Sequence, residues 1–228
     1  MVDLLVFGPH PDDLEIGLGG SIAKHAALGH TVALCDLTRG EMSTNGTPDE
    51  RVAEAEAARV VLGAASRDNL GLTDSDIGGD PSHLRDVVSY IRRIKPKTIA
   101  IPYGDDRHPD HVAAHRLLTR AAFLSGLSRY GAPGESWRAD WVLSYFINDS
   151  APPSFVIDVS ATYEKKRAAL ACHRSQFQPS SGTATRLTSP RFRQLIESRD
   201  AQFGALIGVD FAEGVVTREP IARQTLLK

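Results

Sequence analysis

Two stretches concentrate the side chains able to do chemistry. In "GPHPDDLEIGLGG", residues 8–20, His10, Asp12 and Asp13 fall within four positions, directly after the apolar run "DLLVFG" and before a helical pattern. In "GDDRHPDHVAAH", residues 104–115, Asp105, Asp106, Arg107, His108, Asp110 and His111 crowd the place just after the apolar run "TIAIPY". The near-repetition of "HPDD" and "HPDH" is informative, because in each a proline stiffens a turn around which imidazole and carboxylate groups project. Histidine nitrogen and carboxylate oxygen together suit zinc. A catalytic zinc site takes three protein ligands and keeps a position open, whereas a structural one is closed by four and commonly uses cysteine. No cysteine lies near either motif. The polar groups outnumber the ligands a metal needs, so the surplus is expected to supply a general base, a cationic stabiliser and groups that orient the ligands. The competing explanation is that Asp12 or Asp13 caps a helix and that "HPD" is a polar turn; two such stretches at two strand ends in one chain argue against it.

The elements that must position these residues can be read from the same sequence. Continuous apolar runs at 3–8, 31–37, 98–103, 141–147 and 155–159 are expected as buried strands. Helical patterns are expected over 13–28, 49–63, 81–95, 110–126, 161–174 and 190–207. Gly29, Gly63 and the "KP" at 95–96 supply stop signals, and Pro81 suits a first helical turn. Alternation of this kind predicts an α/β fold, a Rossmann-like, mostly parallel sheet with helices on both faces, whose first two thirds are doubly wound. One domain over 1–228 is expected. In such a sheet ligands bind beyond the carboxyl ends of the strands, where both dense stretches stand. The polar loop over 178–190 is placed to border a site.

Composition narrows the partners. With 26 basic against 28 acidic side chains, no polyanion-binding surface is indicated, so nucleic acid is not expected as a partner. No stretch is long and apolar enough to span a membrane, and two separated cysteines, Cys35 and Cys172, without a signal-peptide pattern point to a cytoplasmic setting. The glycines at 17, 19 and 20 faintly suggest a dinucleotide fingerprint. They fall inside the helix instead of the turn before it, and "PHPDD" in that turn would repel a pyrophosphate, so close helix-sheet packing is the better reading. The remaining histidines, His25, His30, His83, His115 and His173, are read as ordinary surface or core residues, with His115 the one placed to do more.

The two motifs resemble those of the LmbE-like, or PIG-L, family of zinc-dependent N-acetylglucosamine deacetylases. The resemblance runs on through "CDLTRGEMSTNGTPDERVAEAEAA" (35–58), "NLGLTD" (69–74), "YFIN" (145–148), "FVIDVS" (155–160), "SQF" (175–177) and "FGALIGVDFAEG" (203–214). Within the family the chain is similar to the deacetylases of bacillithiol biosynthesis, which release acetate from N-acetylglucosaminyl malate. The resemblance implies His10, Asp13 and His111 as metal ligands and Asp12 as general base. It implies His108 as the catalytic histidine, an imidazolium beside the tetrahedral intermediate, with Asp110 holding its orientation. Arg51 and Arg107 match positions that meet substrate oxygens, either one suiting a malate carboxylate, and Glu41, Ser43 and Asn45 are expected near the sugar. The implied reaction is a single hydrolytic displacement, zinc-bound water attacking the acetamide, with Zn2+, or Fe2+ or another divalent ion, as cofactor. A homo-oligomer, a hexamer in the resembling group, is also implied. Pro9 departs from the family's usual alanine and stiffens the ligand turn. Deacetylation of another sugar amide, such as an inositol-linked or diacetylchitobiose-like conjugate or a mercapturate, fits the same motifs. A purely binding protein would not need both Asp12 and His108, and no G-x-S-x-G nucleophile setting is present.

Overall fold

The computed structural model describes residues 1–179, 182–222 and 224–225. Seven strands form one sheet in the order β3-β2-β1-β4-β5-β7-β6. The strands β1 (Val2–Gly8), β2 (Val32–Asp36), β3 (Ser66–Asn69), β4 (Pro96–Pro102) and β5 (Trp141–Tyr145) pair in parallel. β6 (Phe155–Asp158) and β7 (Ala212–Thr217) close the far edge, β7 running antiparallel to both its neighbours. The expected α/β class, mostly parallel and helix-covered on both faces, is what the chain adopts.

Side-chain alternation along β1 explains the two layers. Val6 faces a core that also holds Leu34, Ile22 and Leu62, covered by α1 (Asp13–Ala27), α2 (Pro48–Leu62), α5 (Tyr163–Cys172) and α7 (Pro190–Ala205). Leu5 and Phe7 face the other core, with Val87, Ile91 and Leu118, covered by α3 (Pro81–Ile94) and α4 (Pro109–Ser125). Thr47 caps α2 in a reciprocal capping box with Glu50, and Gly63 ends that helix at φ 75°. The glycines of α1 allow close packing. A Cβ at Gly17 would stand 2.2 Å from the Tyr145 ring, and one at Gly20 would stand 2.7 Å from Val159.

Three details differ from the sequence reading. β3, "SRDN", has no apolar run, because its Arg67 turns inward to ion pairs with Glu15 and Asp36 in place of apolar contacts. β7 sits in a stretch with no clear alternation. The helix expected over 161–174 begins at Tyr163, ends at Cys172 and is followed by a single turn, α6 (Arg174–Phe177).

β1 lies between β2 and β4, and the chain leaves β1 to build outward on one side and returns at β4 to build on the other. The crevice between the carboxyl ends of these two strands is the topological switch point. Residues 9–13 and 103–111 open there side by side.

Candidate active site

The turn from β1 into α1 is strained where it matters. Asp12 holds φ 127° and ψ −27° at the helix N-cap, and its side chain makes no capping bond. Its carboxylate instead takes a hydrogen bond from the Arg51 guanidinium at 3.2 Å. Asp13 turns the opposite way, and its Oδ2 accepts from the His10 backbone N–H at 2.9 Å. The capping explanation therefore fails for Asp12.

Three donor atoms converge from the two strand ends. His10 Nδ1 lies 3.1 Å from Asp13 Oδ2, and His111 Nε2 lies 3.4 Å from the same oxygen. The far nitrogen of each ring faces carboxylates: His10 Nε2 meets Asp74 at 3.1 Å and Asp110 at 3.3 Å, while His111 Nδ1 meets Asp106 at 3.1 Å. With a cation held at the near atoms, those carboxylates would keep the protons on the far nitrogens and leave the near lone pairs to the ion. Two lone pairs and a carboxylate oxygen so directed call for a cation between them. With metal–ligand bonds of about 2.0–2.1 Å, a tetrahedral site has ligand atoms roughly 3.3–3.4 Å apart, and the observed separations fit. Burial works against the charged Asp13, but His111 and His10 outweigh it and hold its carboxyl well below the usual range. Burial also opposes charge on His111, and Asp13 and Asp106 carry it up to about 9. Both shifts express the same demand for positive charge.

Asp12 departs in the other direction. Burial raises it, Arg51 opposes that, and the neighbouring Asp13 adds to the rise, leaving it at about 6. His108 forms the N-cap of α4, and its Nδ1 accepts the Asp110 backbone N–H at 3.2 Å. A nitrogen that accepts carries no proton, so the ring is neutral with its hydrogen on Nε2. Burial, with His10 and His111 nearby, lowers its basicity in agreement. The imidazolium expected from the sequence does not suit this geometry. The ring is oriented by stacking on His111, with centroids 4.7 Å apart, and by that backbone bond. The Asp110 carboxylate is engaged elsewhere, by the Ser75 N–H at 2.8 Å and by His10, so it braces His10 more than His108.

A cavity of about 590 Å³ opens over this cluster, and of the expected residues His10, Asp12, Asp13, Ser43, Arg51, Arg107, His108, Asp110 and His111 line it. Glu41 and Asn45 do not. Glu41 accepts from the Asp74 and Arg39 backbone N–H groups, and Asn45 is tied by both side-chain atoms to the backbone of Thr183. They fasten the loops around the cavity. Arg51, 3% exposed, lines the cavity; its Nη atoms donate to Asp12 and to the carbonyls of Pro11 and Gly40, and its buried Nε has no partner among the described residues. Sequence reasoning missed Asp74 and Asn148, which stood inside quoted stretches, and gave Asp106 no role. Arg186 and Phe192 also line the cavity without having been singled out; the position of the 178–190 loop gave a signal for Arg186 alone, since Phe192 stands in α7. His115 bonds the Pro102 carbonyl instead of joining the cluster.

The fold and site define a class of α/β proteins with a Rossmann-like sheet that gathers His10, Asp13 and His111, a group that could hold a metal ion, at its switch point. Residues 5–122 match the family model PIG-L, described as GlcNAc-PI de-N-acetylase, and the chain belongs to this LmbE-like family of sugar de-N-acetylases. It is 26% identical over 226 residues to the diacetylchitobiose deacetylase of Thermococcus kodakarensis, covering 93% of this chain and 81% of that one. It is 28% identical over 241 residues to a 1D-myo-inositol 2-acetamido-2-deoxy-alpha-D-glucopyranoside deacetylase of Catenulispora acidiphila, covering 76% and 79%. Among solved structures, a conserved protein from Thermus thermophilus superposes with a TM-score of 0.91 at 36% identity, covering 100% of both chains.

Proposed function

We propose that this chain hydrolyses the acetamide of N-acetylglucosaminyl malate, releasing acetate and glucosaminyl malate, as in bacillithiol biosynthesis. The observation that carries the hydrolytic reading is the division between the two adjacent aspartates, one turned into the donor set and the other left beside it as a base. His10, Asp13 and His111 would hold the metal, Zn2+ first, although a nitrogen and oxygen set of this kind also accepts Fe2+. When bound there, a divalent ion supplies Lewis acidity that polarises the amide carbonyl and makes water easier to deprotonate.

The chain's own groups account for the proton movements. Asp12, poised at about 6, accepts the proton of the attacking water as the new carbon–oxygen bond forms. His108 donates a hydrogen bond from Nε2–H to the carbonyl oxygen as negative charge gathers on it. A neutral imidazole suits this work, since its hydrogen stays on the ring. Asp12 then passes its proton to the sugar nitrogen as the carbon–nitrogen bond breaks, and acetate and free amine leave. Arg51 keeps Asp12 aimed during both transfers. Asp74, Asp106 and Asp110 fix the ring orientations and tautomers of His10 and His111. Ser43 lines the sugar side, and Arg107 is left to meet substrate.

The test is a substrate panel: N-acetylglucosaminyl malate, its inositol counterpart, diacetylchitobiose and N-acetylglucosamine, followed by amine release from the metal-loaded protein. The proposal expects the malate conjugate to have the highest kcat/KM by at least tenfold. A higher value for the inositol conjugate or diacetylchitobiose would overturn the bacillithiol assignment and keep the hydrolytic one; no release from any substrate would overturn both.

A further inference from the structure

The cavity carries both signs of charge. Asp12, Asp13, Asp74 and Asp110 line it, and so do Arg107 and Arg186. Among the described residues neither of these guanidinium groups has a carboxylate partner. Arg107 is exposed, with only its backbone N–H engaged, by Asp149. Arg186 is held: its guanidinium lies 5.4 Å from the ring centre of Phe192, which is 3% exposed and stacks in turn on Phe177. Leu187 and Ile147 continue the apolar wall beside it. Arg51, the other arginine of the cavity, already has the carboxylate of Asp12 as its ion partner and donates to two carbonyls.

We propose that Arg186 is the specificity-determining residue of this site, receiving an anionic group on the aglycone of an N-acetylglucosamine conjugate, with Arg107 as the second cation of the same subsite. The inference rests on the deacetylase reading above and adds what that reading lacks, a residue that selects the conjugate. The carboxylates lining the cavity are engaged by Arg51, His10 and His111, whereas Arg107 and Arg186 have no carboxylate partner among the described residues, so the attraction left for an anion lies with these two arginines. The conjugate is thereby oriented with its acetamide at the His–Asp cluster and its charge at the arginines. Stacking on Phe192 limits the rotamers of Arg186, so less freedom is lost when its fork closes on the anion. Carboxylate and phosphate share this chemistry.

The experiment uses metal-loaded protein, wild type, Arg186→Gln and Arg186→Lys, with three substrates: N-acetylglucosaminyl malate, N-acetylglucosamine 1-phosphate and the neutral methyl N-acetylglucosaminide. Binding of the product glucosaminyl malate is measured alongside by calorimetry. The expected result is a wild-type preference for an anionic substrate over the methyl glycoside. Arg186→Gln contracts that preference by about tenfold to a hundredfold, through KM more than kcat, and weakens product binding to match. Arg186→Lys restores part of both. If wild type prefers the malate conjugate and Arg186→Gln keeps the same ratio and the same product affinity, Arg186 is not the selector and the bacillithiol reading stands. If the phosphate is preferred over the malate and the preference falls in Arg186→Gln, the anion subsite stands and the bacillithiol reading fails. A wild type that treats charged and neutral substrates alike, or an inactive one whose product affinity is the same with and without Arg186, overturns the inference.

Discussion

Burial acts alike on Asp12 and Asp13, and their neighbours separate them. Asp13 faces two imidazoles and stays ionised; Asp12 faces one guanidinium and a like charge and stands at about 6. The roles proposed for them predict different losses. Asp12→Ala keeps the metal, measured by equilibrium dialysis and elemental analysis, and loses about 10²- to 10⁴-fold in kcat. His10→Ala loses metal and turnover together. Equal metal loss in the two variants would contradict the division. Asp106→Asn leaves all three ligands in place but frees the His111 ring, and is expected to weaken metal affinity about 10- to 100-fold; unchanged affinity would show that Asp106 does not support the ligand. The residues proposed as ligands stand out in the sequence because each lies in a short motif at a strand end. Asp74 and Asp106 act through space on histidines far off or around a turn, and sequence spacing carries no record of that contact. The bonds of Arg51 to Asp12, Pro11 and Gly40 were not legible, because they exist only in the fold.

At the scale of elements, α1 must lie close enough to β5 for its first turn to hold Asp13 at the switch point. Gly17 makes this approach possible. Gly17→Ala would drive a methyl into the Tyr145 ring, with a loss of about 1–3 kcal/mol in urea denaturation. A wild-type midpoint would show that the approach is looser than described. Arg67 binds β3 to β2 and α1 through two buried carboxylates, its own side chain being 3% exposed. Arg67→Met leaves Asp36 without its cation and Glu15 with only His173, 3.3 Å away, and about 3–5 kcal/mol of destabilisation is expected; a change under about 1 kcal/mol would mean that these acids find other partners. This pairing also explains why β3 escaped the sequence reading, since a polar strand stabilised by ion pairs has no hydrophobic alternation. Buried β1, β2 and β4 were legible because parallel strands covered on both faces read as apolar runs.

For the whole molecule, the switch point organises everything else. Strand order places β1 beside β4, and that adjacency alone brings residues 10–13 to residues 108–111 across about a hundred positions of sequence. The α/β class was legible from the alternation of strands and helices, whereas the antiparallel β7 was not, because this last strand inserts between β5 and β6, a placement that order along the chain does not record. We propose that residues 1–228 fold as one unit, so that denaturation of the metal-loaded protein shows a single transition by fluorescence and circular dichroism; two separated transitions would contradict it. A homo-oligomer, the assembly implied by the resemblance, predicts a light-scattering mass that is a multiple of 24.7 kDa, a hexamer being the expected value. Among the described helices none is long and apolar enough to cross a membrane.

The proposed function stands or falls on hydrolysis of an acetamide at the switch point with the help of a bound metal. The most direct measurement quantifies acetate and free amine from N-acetylglucosaminyl malate, using chelator-dialysed protein before and after one equivalent of Zn2+ is restored. The account predicts equimolar acetate and amine only after the metal returns. Release at the same rate without metal, or none with it, would contradict the account.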